Sequence, residues 1–170
     1  MKRFLFKVCM AGEGGVGKTS LIIRFCQNRF TEEYKPTLGA DFAVKKVKIG
    51  DMEVTLQIWD LSGQERFEIM RKYYFKGASA GVLVFDVTRP ETFLLINRWI
   101  EAFYKHSGGG FLVLVGNKID LEDKRLVPPQ AGEMITKWLN IPYFETSAKT
   151  GENVFDVFTF VAEKLLEKTR

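Results

Sequence analysis

Residues 12–19 read Gly-Glu-Gly-Gly-Val-Gly-Lys-Thr, a spacing of glycines ahead of a lysine and a hydroxyl that suits one task. With the backbone amides of Glu13, Gly14, Gly15, Val16 and Gly17 turned into one concavity, such a segment cradles an anion. Lys18 adds a full positive charge for the outer phosphates of a polyphosphate, and Thr19 offers a hydroxyl to Mg²⁺. The apolar run Phe4–Ala11 precedes the loop, and Leu21, Ile22 and Phe25 follow it at helical spacing. A buried strand thus breaks into glycines and restarts as a helix whose positive dipole end faces the same point. A glycine-rich turn ahead of an ordinary helix is the alternative, and the strand context weighs against it. The expected ligand is a nucleoside polyphosphate.

Three further polar clusters carry compatible chemistry. Asp60 is a hard carboxylate suited to hold Mg²⁺ through water, since that ion keeps part of its hydration shell. Gly63 and Gln64 stand just beyond it. Asn117-Lys118-Ile119-Asp120 follows the apolar run Phe111–Val115. A carboxylate such as Asp120 accepts two N–H bonds, which guanine's N1–H and exocyclic amine supply and adenine does not. An unpaired buried polar group costs about 1–3 kcal/mol, so the contact discriminates between bases. Ser147-Ala148-Lys149 would bring a backbone N–H near the guanine carbonyl oxygen.

Positioning these residues falls to alternating strands and helices. Gly81–Phe85 and Phe111–Val115 are apolar throughout, as strands buried on both faces should be. Glu53–Trp59 alternates, with Val54, Leu56 and Ile58 on one face, and Gly50-Asp51 joins it to Asp41–Ile49 as a two-residue hairpin. Tyr143-Phe144 after Pro142 reads as a short last strand. Helical patterns follow the phosphate loop, run over 91–104 after Pro90 and over 129–139, and begin again near Glu152 with Val154, Val157, Phe158, Val161 and Leu165. This alternation predicts an α/β fold in three layers around a mostly parallel sheet, as a single domain over residues 1–170. In such sheets ligands sit at the carboxyl ends of the strands. Gly12, Asp60, Asn117 and Ser147 each stand just past one, and the antiparallel hairpin brings Thr37 beside Asp60.

Composition narrows the class. A chain of 170 residues with 46% hydrophobic content is globular and large enough for a core covered on both faces. No apolar run approaches the ~20 residues that span a bilayer. Residues 1–7 are too interrupted for a signal peptide, and Lys2 stands where N-myristoylation requires glycine. The net charge of +4 comes without a dense basic run interleaved with aromatics, so nucleic acid is not an expected partner. Cys9 and Cys26 lie in apolar segments and read as reduced packing residues of a cytoplasmic protein.

Taken together, Gly12–Thr19, Tyr34-Lys35-Pro36-Thr37, Trp59-Asp60-Leu61-Ser62-Gly63-Gln64-Glu65, Asn117-Lys118-Ile119-Asp120 and Glu145-Thr146-Ser147-Ala148-Lys149 resemble the five guanine-nucleotide motifs of Ras-superfamily small GTPases, in the family's order and over essentially the whole chain. Leu38–Phe42, Thr55–Trp59, Gln64–Phe67, Tyr74–Ala78 and Val84–Thr88 are most similar to the Rab group. The resemblance implies a six-stranded sheet of order 2-3-1-4-5-6, strand 2 antiparallel, with five helices. It implies GTP and GDP as ligands and Mg²⁺ held by Thr19, Thr37 and Asp60. Lys18, Thr37 and Gln64 would be the catalytic residues, Gln64 orienting the attacking water and Gly63 meeting the γ-phosphate. Ser20, Phe30, Tyr34, Leu121, Ala148 and Lys149 would join Asn117, Lys118, Asp120 and Ser147 around the nucleotide. Loss of the γ-phosphate would release the segments around Thr37 and Gln64, the two moving parts of a switch.

The resemblance further pairs Phe42, Trp59 and Tyr74 as an aromatic surface read by effectors in vesicular traffic, with exchange factors and activating proteins as the other partners and a monomer as the working state. For Trp59 the competing reading is coverage by a packed helix. Two departures stand out. Leu61-Ser62 replaces the family's usual Thr-Ala, and no cysteine tail follows Leu165–Arg170. No membrane anchor is therefore expected within these residues, and peripheral attachment would need a lipidated tail. No arginine lies between Phe30 and Thr37, where some relatives carry a catalytic one. Slow intrinsic hydrolysis, accelerated by a partner, is expected. The rival readings are a nucleotide-holding interaction module with negligible turnover and an ATP-dependent small-molecule kinase.

Overall fold

The computed structural model describes residues 2–31, 41–61 and 68–170. Six strands make one sheet, β1 (Arg3–Ala11), β2 (Asp41–Ile49), β3 (Met52–Asp60), β4 (Ala80–Asp86), β5 (Phe111–Asn117) and β6 (Tyr143–Thr146), in the order β2-β3-β1-β4-β5-β6. β3, β1, β4, β5 and β6 are parallel, and β2 pairs antiparallel with β3 from Asp41↔Asp60 to Ile49↔Met52. Gly50 turns that hairpin at φ +62°, in the left-handed region that glycine enters freely. The expected fold class and strand order hold.

The helices are α1 (Lys18–Gln27), α2 (Glu68–Phe75), α3 (Pro90–Leu94), α4 (Ile96–Ser107), α5 (Pro129–Leu139) and α6 (Val154–Glu167), with a short 3₁₀ turn at Glu122–Lys124. The single helix expected over 91–104 is two pieces. Leu95 leaves helical geometry at φ −93°, ψ 1°, and the Arg98 amide bonds back to its carbonyl in a tighter three-residue turn. Taking α3 and α4 as one interrupted body, five helices flank the sheet among the described residues. α1 and α5 each end on an asparagine in the left-handed conformation, Asn28 and Asn140, whose amides close the last turn onto Arg24 and Thr136.

Alternation along the strands splits the core in two. Val54, Leu56, Ile58, Val82, Val84, Val113 and Val115 face α1 and α6. Cys9, Ala11, Leu83, Phe85, Leu112 and Leu114 face α2 and α4. Every residue of β4 and β5 is buried, which is why those runs carry no polar alternation. The outer face of β2 and of its neighbour β3 remains partly open, with Phe42 and Val44 exposed. No helix among the described residues is long and apolar enough to cross a membrane.

Candidate functional site at the strand ends

The loop between β1 and α1 is shaped by two close approaches. A Cβ on Gly12, at φ +132°, would stand 2.2 Å from the Val84 carbonyl oxygen, and one on Gly17, at φ +102°, would stand 2.3 Å from Asn117 Nδ2. Glycine is the residue that fits at both points, because both backbone approach and positive φ exclude a side chain. Lys18, at the start of α1, is only 2% exposed. Its Nζ donates to the Gly12 carbonyl at 2.6 Å and to the Glu13 carbonyl at 2.9 Å, folding the charge back over the loop. The Thr19 hydroxyl donates to Asp60 Oδ2 at 2.6 Å, bringing two hard oxygen donors together at the loop's edge.

The ends of β5 and β6 close the other side. Asn117 is 1% exposed and braces two elements at once. Its amide donates to the Val16 carbonyl at 3.0 Å while its Oδ1 accepts the Thr146 hydroxyl at 3.0 Å. Lys118 donates to the Gly15 carbonyl at 2.8 Å. Asp120 accepts the Ser147 hydroxyl at 2.8 Å, and that hydroxyl also takes the Thr150 amide at 3.0 Å. Between these elements lies a cavity of about 270 Å³, lined by Gly15, Gly17, Ser20, Phe30 and Thr31 on one side. Asn117, Lys118, Asp120, Leu121, Ala148 and Lys149 line the other. Wider concavities, about 620 Å³ between α2 and α4 and about 730 Å³ beside α5, are shallow and include none of Gly12, Asp60, Asn117, Asp120 and Ser147.

The expected residues around the nucleotide therefore gather in one place wherever they are described. Tyr34, Thr37, Gly63 and Gln64 lie outside the described residues. The aromatic surface needs correcting. Phe42 is exposed and its ring sits 4.9 Å from that of Trp59, whose indole N–H is held by Gln57 Oε1. Lys7 Nζ stands 4.7 Å over the Trp59 ring. Tyr74, expected on the same exposed surface, is instead 3% exposed. Its hydroxyl donates to the Met10 carbonyl at 2.8 Å and to that of Trp59, and burial pushes its ionisation well above the ordinary value. The helical phase of α2 turns Tyr74 inward beside Phe75 and leaves Tyr73 outside.

Several residues at this rim carry no spacing pattern. Asp86 ends β4 as Asp60 ends β3 and Asn117 ends β5, a polar residue closing an apolar run. Fully buried, it accepts the Thr88 amide and hydroxyl on Oδ1 and pairs with Lys118 through Oδ2 at 3.0 Å. Arg24 on α1 donates to the carbonyls of Ala148 and Lys149 at 2.9 and 2.7 Å, fixing the loop after β6. Arg125 forks onto Glu145, Nη1 meeting Oε1 at 2.9 Å and Nη2 meeting Oε2, with the Tyr143 hydroxyl also donating to Oε2. Burial pushes the Glu145 carboxyl up, but the bonds from Arg125 and Tyr143 outweigh it and hold the group below the ordinary range. Arg89 Nη1 donates to the Gly14 carbonyl at 3.0 Å.

Comparison with known proteins agrees with this geometry. The Ras family profile matches residues 7–167. The chain is also similar to Ras-related protein Rab-13 of Rattus norvegicus, at 40% identity over 166 residues, covering 97% of this chain and 82% of that protein.

Proposed function

Because the chain belongs to the Ras family of small GTPases, we propose that the strand-end cleft takes GTP and GDP with Mg²⁺ and that the protein works as a Rab-like switch in membrane traffic. Hydrolysis of GTP follows from the family. The observation carrying the finer reading is the single cavity of about 270 Å³ that joins the phosphate loop to Asp120 and Ala148. Its size is near the lower end for small-molecule sites, ~300–1,000 Å³, suited to a base and ribose with the phosphates running out along the loop.

Each residue then has a task. The amides from Glu13 to Lys18 bind phosphate oxygens, with the α1 N-terminus adding its dipole. Lys18 moves its ammonium from the Gly12 and Glu13 carbonyls toward the outer phosphates. Asp120 accepts guanine's N1–H and amine, Ala148 supplies the amide for the carbonyl oxygen, and Phe30 covers the base. The pairing of the Thr19 hydroxyl with the Asp60 carboxylate fits Mg²⁺, which favours a few protein oxygens completed by water and phosphate. Bound there, the ion would neutralise charge on the phosphate oxygens. Thr37 would complete its ligands, Gln64 would orient the water, and Tyr34 and Gly63 would close over the γ-phosphate. Phe42 and Trp59 form the described part of the surface offered to effectors, and exchange factors and activating proteins set the rate of the cycle. The protein works as a monomer in the cytoplasm, at membrane surfaces when tethered.

The test is base selection. Labelled GDP bound to the purified chain is displaced by GTP and, about ten- to a hundredfold less well, by inosine triphosphate, which lacks the exocyclic amine. ATP displaces it least. Equal displacement by ATP and GTP would remove Asp120 from this role.

A further inference from the structure

Glu13 is an anomaly in its own loop. Its backbone faces the anion, yet its side chain carries a negative charge one residue inside the segment where phosphate charge concentrates. A carboxylate turned into that segment would repel phosphate charge, the more so where water is excluded. The fold draws that carboxylate away. Trp99, on α4 and only 1% exposed, donates its indole N–H to Glu13 Oε2 at 2.6 Å. Over the ring of the same tryptophan, the Arg71 guanidinium from α2 lies 4.3 Å from the ring centre. A cation over the ring polarises the indole and strengthens its N–H as a donor toward a carboxylate. The Glu13 carbonyl, meanwhile, accepts Lys18 Nζ. One residue is thus held at both ends, its charge toward α4 and its backbone toward the phosphates.

We propose that Trp99 is a positioning residue of the nucleotide site: its indole N–H holds the Glu13 carboxylate out of the phosphate cradle, with Arg71 reinforcing it from α2. The inference rests on reading residues 12–19 as the phosphate site. It makes nucleotide retention depend on two helices that do not touch the cavity.

The test uses the full chain loaded with a fluorescent GDP analogue and measures its release into excess GDP. W99F keeps an aromatic side chain but loses the N–H together with part of the indole's bulk, and release is expected to be about tenfold faster. E13Q carries no charge to expel, so E13Q/W99F should release within about twofold of E13Q alone. A core residue with no link to Glu13 would speed release equally in both backgrounds, and that result overturns the proposal. E13D leaves the core untouched and keeps the charge but shortens the reach to the indole. It should release faster than E13Q, and equal release from the two also overturns the proposal. Failure of the wild-type chain to retain the analogue at all, or retention unaffected by K18A, would instead sink the phosphate-site reading beneath it.

Discussion

Lys118 Nζ lies 3.0 Å from Asp86 Oδ2 and 2.8 Å from the Gly15 carbonyl, so one ammonium ties the end of β4 to the phosphate loop. Asp86 is fully buried and Lys118 one-third exposed. The pair is therefore asymmetric, since the lysine can recover water and the aspartate cannot. Asp86→Asn keeps the shape and removes the charge. GDP release should accelerate about tenfold, as Lys118 loosens from Gly15. Release at the wild-type rate, measured by chase of labelled GDP, would show that the pair does not govern the loop.

The pair Arg125–Glu145, beside the end of β6, should give stability a pH dependence. Because the folded Glu145 carboxyl lies below its unfolded value of 4.5, its contribution is fully present above that value and is lost as pH falls through the folded one. Urea unfolding of the wild type and Glu145→Gln should show a stability gap at pH 7 that narrows on acidification toward pH ~3. A gap that stays constant over that range would contradict the linkage.

Phe42 and Tyr74 should separate surface from core. Phe42→Ala leaves stability within about 0.5 kcal/mol, because the ring is half exposed at the sheet edge. Tyr74→Phe removes the donor that serves the Met10 and Trp59 carbonyls and costs about 1–2 kcal/mol. Thermal unfolding of the two variants compares them directly. The reverse order would return Tyr74 to the surface.

The two thiols differ by burial. Burial pushes the Cys9 thiol up to about 12, whereas Cys26 is only partly buried, and burial raises it too. The thiolate is the reactive form, so iodoacetamide at pH 8 should label Cys26 and reach Cys9 only after unfolding. Mass spectrometry of the labelled peptides reads the result, and early labelling of Cys9 would show that β1 opens locally.

The pattern of what was legible follows from range. Gly12–Thr19 and Asn117–Asp120 stand out in the sequence because the phosphate and base contacts proposed for them need several residue types at fixed local spacing. Fully apolar β4 and β5 declare their burial in the same way. Asp86 does not, since a single acid after a strand reads as a turn residue until Lys118 is seen beside it. The contact of Glu13 with Trp99 spans 86 positions and joins two elements whose packing no local period encodes. Tyr74 failed for a related reason: similarity places the residue, but the phase of α2 decides which face it presents. Leu95 interrupts a helix whose apolar spacing continues through the break, leaving no mark in the pattern.

The proposed selection of guanine nucleotides rests on the rim formed by Gly12, Asp60, Asn117, Asp120 and Ser147. Denaturing the purified protein and identifying what it releases by ion-pair chromatography tests this most directly. GDP or GTP, near one per chain, is the result the geometry predicts. ADP or ATP in that fraction would contradict it.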